Sequence, residues 1–507
     1  MADETHAMKT WHILRLARWL FRLVWNRHVA WTVVTLASLL VVYYQWENRR
    51  SARELKAARE RMITRIGTEN WLDYAPPVIQ DEQNFFALPF IEQWMHRDGR
   101  QVRYVVPKNA FWPENLPKPE IIENETDGIS HVDFAKWAAK WDLKGESTEM
   151  ALHRELGQTD DWLEKLTAGL TRPFCEWKPH QRNELAAAGA NPYDVTQPHI
   201  NNVNDRMRDL SLHLRIAAAV GDSEKTRNTA LILLRLFPES ATSHHWLIGT
   251  LVSIATHEIA FDALQDALSK PVWDETSLRA LQLQLGKIND LEVMERALSM
   301  ETLTGYGVGL FIRESCRKDG LATEMLNFGD EHQSWGSRLT RLAYIYGPTG
   351  WHDANTAFYV ERMLDLVGPK GETAWLDVGE RYAAFQSRLK DEYRHIEWNM
   401  RRKIGAMAMP NIGNLWPAAA ETLFHRRCLI IACALERHRL RHGAFPASLE
   451  AVKEDLKLFK LDDPARPGQM PGFRLEKGGY LLWSAGPDAK DDGGVKDEDW
   501  LWRMKQP

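Results

Sequence analysis

The stretch YLLWSAGPDAKDDGGVKDEDWLWR, residues 480–503, sets six carboxylates between Asp488 and Asp499 around the paired glycines Gly493 and Gly494. Aromatic, strand-like residues flank it on both sides. Six like charges this close repel one another unless water screens them or a cation neutralises them. Glycine lets the backbone fold tightly enough to aim several oxygens at one point. The chemistry therefore points to a hard-cation loop, Ca²⁺ first, with Asp488, Asp491, Asp492 and Asp499 as ligands. An EF-hand is the competing motif: Asp488 at position 1 puts Asp492 at 5, Gly493 at 6 and Asp499 at 12. Against it, Lys490 falls at position 3, position 12 is Asp rather than Glu, and the loop is entered from a strand. A solvated acidic loop without an ion is the third reading.

Upstream, residues 418–440 (AAAETLFHRRCLIIACALERHRL) predict an amphipathic helix with an apolar stripe of Phe424, Cys428, Ile431 and Leu435. Arg426, Arg427, Arg437 and Arg439 are expected mostly on its other faces. His442-Gly443 stops the helix, Phe445-Pro446 opens a short second one, and Asp463-Pro464 marks a turn. Two strands follow, 472–476 and 480–484, joined by Lys477-Gly478-Gly479. The expectation is a helix packed on a small antiparallel hairpin, with the acidic loop after it.

This order, in ALERHRLRHGAFPASLEAV (434–452), the Asp-Pro turn, the hairpin and LWSAGPDAKDDGG…DEDW, resembles the soluble part of the major pseudopilin of type II secretion systems. The resemblance covers residues 416–507 and implies a small α+β module whose loop binds Ca²⁺ through carboxylates and backbone carbonyls. Asp488 matches the acid after the Gly-Ala/Pro step and Asp499 the acid before the final apolar residue, here Trp500. Asp491 and Asp492 are further ligands on this view. Three departures stand out. Residues 47–417 separate the apolar N-terminal run from the module, no prepilin-peptidase pattern precedes that run, and Ala489-Lys490 replace a glycine-led loop start. A processed pilus subunit is therefore not expected. The whole chain is also similar to single-span proteins of planctomycete and verrucomicrobial type with an NF-rich segment, here DEQNFFALP (81–89); that likeness implies no activity.

Residues 29–46 (VAWTVVTLASLLVVYYQW) are 18 uncharged, mostly apolar residues, just enough to cross the hydrocarbon core as a helix. Trp31 at one end and Tyr43, Tyr44 and Trp46 at the other supply aromatic belts. No cleavage pattern follows, so an uncleaved anchor in the lipid bilayer is expected. No other segment is read as approaching that length. Before it, residues 1–28 place Arg15, Arg18 and Arg22 opposite Leu16, Leu20, Leu23 and Val24, a basic amphipathic segment suited to an anionic surface. After it, residues 47–66 mix both signs and read as a polar helical stalk. The flanking charges, four Arg before the span and six Lys or Arg from Arg49 to Arg61, lean slightly toward a cytoplasmic body. A weak loop-type Ca²⁺ site fills only where Ca²⁺ is plentiful, and long domains cross membranes regardless of their own charge. The expected topology is therefore single-pass in the inner (cytoplasmic) membrane, with the body on the periplasmic side.

The 507 residues suffice for two to four domains, and a net charge of −5 leaves no nucleic-acid footprint. The 22 Trp suit core and membrane-interface packing more than carbohydrate binding. Cys175, Cys316, Cys428 and Cys433 include no CxxC; a Cys175–Cys316 disulfide stays open beside buried thiols. Prolines break residues 67–204 into a Pro/Trp-rich mixed region. Residues 205–330 read as helical hairpins in a solenoid-like array: a helix over 207–220 ended by Gly221, one capped by Asp222, one over 245–269, and one capped by Asp274. Residues 331–415 are a helical connecting region. The fold class is mainly α, and the helical body is expected to bind protein partners. His244, His245, His257 and Glu258 are too far apart to share an ion and read as polar-face residues. HExxH, a phosphate-cradling glycine loop and a nucleophile elbow are absent from the sequence. A membrane-anchored binding or scaffold protein is the leading expectation. A membrane-anchored envelope enzyme acting on a glycan or peptide is the alternative, and a pocket gathering buried carboxylate, His or Ser groups would favour it.

Overall fold

The computed structural model describes residues 27–505 apart from 94, 99–100, 105–110, 115, 124–129, 139–146, 178–180, 188–198, 237–245, 319–341, 369–374, 395, 397–398, 411, 413–414 and 497. All but the last two residues of the basic segment at 1–28 lie outside these, as do His244 and His245. The described chain is mainly helical. It divides into two compact units, each assembled from separate stretches: 1–61 with 308–361 and 392–409, and 62–307 with 362–391 and 410–507.

In the first unit one helix, Arg27–Ile66, opens the described chain and runs on into the second. Its N-terminal part is long and apolar enough to cross a membrane. Trp31, Val33, Val34, Leu36, Leu39, Leu40, Val41 and Val42 are each more than half exposed there. Past Trp46 the character changes. Glu47, Ser51, Leu55, Ala58, Met62 and Ile66 recur every three or four residues and are all buried. The segment expected as a polar stalk therefore packs along one face. The sequence hides this because two members of the stripe are polar and find their partner far along the chain. Arg401 donates to the carboxylates of Glu47 and Glu54 and, at 3.2 Å, to the Ser51 hydroxyl. Asn355 clamps the rest of the unit: its Nδ2 donates to the carbonyls of Trp351 and Met400, both at 2.7 Å, and its Oδ1 accepts from Gly405 N at 2.9 Å.

Among its described residues the second unit contains three small antiparallel sheets: β1 (Met95–Asp98) with β2 (Gln101–Tyr104), β3 (Ile121–Glu123) with β4 (Ser130–Val132), and β5 (Gly472–Glu476), β6 (Gly479–Ser484) and β7 (Trp500–Lys505) in that order. Its helices follow the expected punctuation. His199–Val220 ends at Gly221, whose φ of +81° suits glycine. Asp222 caps Ser223–Arg235 by accepting from Lys225 N at 3.0 Å, and Asp274 caps Glu275–Leu285 by accepting from Ser277 N at 2.6 Å. His199–Val220 packs on both Ser223–Arg235 and Leu247–Leu268.

Leu247–Leu268 is also long and apolar enough to cross a membrane. Residues 240–257 indeed lack any Asp, Glu, Lys or Arg, a run the sequence reading overlooks. This helix instead lies in the core, with Ala260, Phe261, Ala263, Leu264 and Ala267 buried. Its Asp262 and Asp266 hold the buried Arg215 at 2.7 and 3.0 Å.

The C-terminal helix, Leu415–His442, extends beyond its expected ends and packs on Glu275–Leu285 and Leu247–Leu268. Phe424, Cys428, Ile431 and Leu435 are buried as expected, but so are Arg426, Arg427 and Arg437. The helix is buried nearly all round, and the guanidinium groups are tolerated because acceptors meet them. Arg426 donates to the carbonyls of Leu285 and Ile288, Arg427 to that of Asp462, and Arg437 pairs with Asp455 at 3.1 Å. The hairpin β5–β6 appears where expected. A third strand, β7, adds to it in the register Tyr480↔Met504 and Leu482↔Trp502, burying Trp502 and Met504. Helix and sheet share one core with the helices of residues 199–285. Cys175, Cys428 and Cys433 are buried thiols, Cys175 donating to the Arg235 carbonyl at 2.9 Å, so the open Cys175–Cys316 disulfide is not formed.

Candidate functional site

The acidic loop connects β6 to β7 and is rooted on the Asp-Pro turn. Asp463 is 1% exposed, and its carboxylate accepts from Ala465 N (3.0 Å), Ala485 N (3.1 Å), Arg466 Nε (3.0 Å) and the Ser484 hydroxyl. Arg466 reaches on to Asp491, which also accepts from Trp483 Nε1 at 2.8 Å and Gly493 N at 3.0 Å. The Trp483 bond, with help from Gly493 and Arg466, holds the Asp491 carboxyl below its ordinary range. Asp499 is buried and draws the loop closed, accepting from Gly494 N at 2.7 Å and Val495 N at 3.1 Å. Asp492 accepts from Lys490 Nζ at 2.7 Å, and Asp488 from Lys490 N at 3.0 Å. Ala489, at the expected glycine-led start, takes a φ of +58°, the left-handed region that costs an L-residue roughly 1 kcal/mol.

The loop thus brings Asp492 and Asp499 together, with Asp492 N 3.5 Å from Asp499 Oδ1. Among the described residues no three His, Cys, Asp or Glu side chains gather as a metal site would require, and Asp497 lies outside them. Hard, hydrogen-free carboxylate oxygens are the right chemistry for Ca²⁺. Those of Asp488 and Asp492 fit it better than those of Asp491 and Asp499, whose oxygens all accept hydrogen bonds from the protein.

A second arrangement was not found by sequence reasoning. Leu251, Ile254, Ala255 and Glu258, recurring at helical spacing on Leu247–Leu268, face Leu415, Ala418, Glu421 and Thr422 of the C-terminal helix across a cavity of about 490 Å³. The lining Glu258 is held from behind: His425 Nδ1 lies 2.8 Å from its Oε2, and the Thr422 hydroxyl donates to its Oε1. Burial works against both charges, but the mutual hydrogen bond and attraction prevail. His425 is raised above its ordinary value and Glu258 lowered below its own. Glu421, on the facing helix, is raised by burial and by the Glu258 charge, against the pull of His425. The cleft therefore holds two carboxylates whose proton affinities are shifted in opposite directions, the kind of asymmetry that acid–base chemistry uses. Neighbouring His257 is no polar-face residue: it is buried and stacks on Phe261, ring centroids 5.3 Å apart. The available signal was the pair of helical spacings, Leu251/Ile254/Ala255/Glu258 and Glu421/Thr422/His425, but nothing in either segment names the other as its partner.

No family model matches the chain, and neither a curated protein nor a solved structure does.

Proposed function

We propose that this chain is a single-pass, membrane-anchored binding or scaffold protein of the cell envelope. Its body stands on the periplasmic side of the cytoplasmic membrane, its helices take protein partners, and a pseudopilin-like C-terminal module binds Ca²⁺ through its acidic loop. The observation that carries the anchor is the change of character along one helix: apolar side chains left in the open before Trp46, a buried stripe from Glu47 onward. Exposed apolar area costs roughly 25 cal/mol per Å² in water and nothing comparable in hydrocarbon. Removing residues 1–46 tests it. The cut spares the buried stripe, and the shortened chain should leave the membrane fraction, whereas the full chain should resist alkaline washing. A shortened chain that still sediments with membranes refutes the anchor.

The loop is tested on the full chain, whose C-terminal helix and sheet share a core with the rest of the second unit. Millimolar Ca²⁺ should raise its melting temperature, because an ion bound only by the folded state stabilises it by mass action. Asp488→Asn with Asp492→Asn should abolish the rise. Equal melting with and without Ca²⁺ removes the ion from the proposal.

The cleft favours a second reading, an envelope enzyme acting on a glycan or peptide. Its carboxylates of opposed proton affinity suit hydrolysis. Glu421→Gln and Glu258→Gln should then each abolish turnover of envelope glycan or peptide, Glu421→Gln with thermal stability nearly unchanged; retained turnover in both variants excludes it.

A further inference from the structure

Residues 342–346 (LAYIY) form one helical turn in the first unit. Leu342 and Tyr346 are four residues apart and share a face, while Tyr344, about 200° round from each, points the other way. Burial follows this geometry. Tyr344 is buried beside Trp351, Met400 and Ile404, its hydroxyl donating to the Met400 carbonyl, whereas Leu342 is 50% and Tyr346 73% exposed. The turn is fastened to the end of the apolar run. Tyr44 Oη donates to the Tyr346 carbonyl at 2.7 Å, and Gly350 N donates to Asn48 Oδ1 at 2.6 Å. Tyr346, with Leu342 one turn before it, is thus fastened beside the turn that carries Tyr43 and Trp46, themselves exposed, with rings 6.4 Å apart. Arg50 lies 5.4 Å over the Trp46 ring, and Arg49 and Arg53 are exposed just beyond it.

Aromatic rings with polar tips, an aliphatic neighbour and a fringe of snorkelling arginines are what the boundary between acyl chains and headgroups accepts. We propose that Leu342 and Tyr346 dip into the headgroup layer beside Tyr43 and Trp46, giving the body a second attachment to the lipid surface. This rests on the anchor reading above. The occupant is lipid because the turn is bonded to the span's own last turn, where headgroups already stand.

The test uses the full chain in phosphatidylcholine–phosphatidylglycerol vesicles whose lipids carry a nitroxide high on the acyl chain. Leu342→Cys, Tyr346→Cys, Leu39→Cys and Leu458→Cys, each in a Cys316→Ser background, carry a bimane label, the remaining thiols being buried. Fluorescence should be lost at 39, 342 and 346 and kept at 458, which is exposed in the second unit. Loss at 39 with full fluorescence at 342 and 346 overturns the inference and leaves the anchor standing. Full fluorescence at 39 overturns the anchor itself. Shielding of 342 and 346 from aqueous iodide without nitroxide quenching shows that a protein, a second copy or another partner, covers the turn, and also overturns the inference.

Discussion

Asp463→Ala should destabilise the second unit more than any change to the acidic loop's exposed charges. The carboxylate is buried and serves four donors at once: two backbone N–H groups, a hydroxyl and a guanidinium. A hydrogen bond to a charged group contributes about 1.5–3 kcal/mol, and a buried donor left without an acceptor costs about 1–3 kcal/mol. Neighbouring losses are not additive, so the net expectation is about 3–5 kcal/mol. That is a large share of the roughly 5–15 kcal/mol that holds a domain folded. At about 2–4 °C per kcal/mol for a body of this size, the transition should fall on the order of 10 °C. Asp463→Asn discriminates further. Its carbonyl can keep Ala465 N and Ser484 on one side, while its NH₂ faces Ala485 N–H and Arg466 on the other, so about half the loss should remain. Calorimetry on the full chain reads the transition. Hydrogen exchange in peptides covering residues 472–505 reads the local opening without assuming one cooperative step. A shift under about 1 kcal/mol for Asp463→Ala, with unchanged exchange in β5–β7, would refute the view that this one carboxylate roots the loop.

The Glu258–His425 pair should give a bell-shaped stability profile. His425, raised, contributes below its ordinary value of 6.5 and loses that contribution as pH climbs through its folded value; Glu258, lowered, contributes above 4.5 and loses it as pH falls. Glu421 and Asp262, which also face His425, add attraction on the same side, and Glu258→Gln should flatten the profile in urea titrations across pH 4–8. His213 acts in the opposite sense: burial pushes it down to about 4, so its contribution is full above 6.5 and is lost as pH falls. On the order of 3 kcal/mol should disappear between those values and be recovered in His213→Gln, if the glutamine keeps the 2.6 Å bond to the Phe111 carbonyl. The thiols of Cys175, Cys428 and Cys433 should resist an alkylating reagent at pH 8 in the native protein and react on unfolding, as mass spectrometry of the peptides would show; native labelling of Cys428 or Cys433, whose thiols burial pushes well up, would contradict the packing.

What the sequence disclosed depended on how far apart the partners lie. Asp222 and Asp274 are legible as caps because cap and amide are three residues apart. The β5–β6 hairpin is legible because its turn glycines lie between its strands. Strand β7 is legible only as an aromatic, strand-like stretch after the acidic loop; its pairing, and with it the face that Trp502 and Met504 share, comes from β6. The arginines of the C-terminal helix mislead for the same reason. A guanidinium in a helix signals solvent until the carbonyls at Leu285, Ile288 and Asp462 are known to meet it. Glu258 and His425 are 167 positions apart, beyond any local pattern.

The helix Arg27–Ile66 contains neither glycine nor proline, so it offers no hinge where its character changes at Trp46. Forty residues at 1.5 Å each make a strut about 60 Å long. Under the anchor proposed above, such a strut behaves as a lever. Any tilt imposed on its apolar arm by a thinner or thicker bilayer is delivered undamped to the buried arm. One residue inserted after Trp46 would turn the two arms about 100° against each other. On that proposal, the helical phase between residues 46 and 47 sets the angle at which the buried arm leaves the membrane.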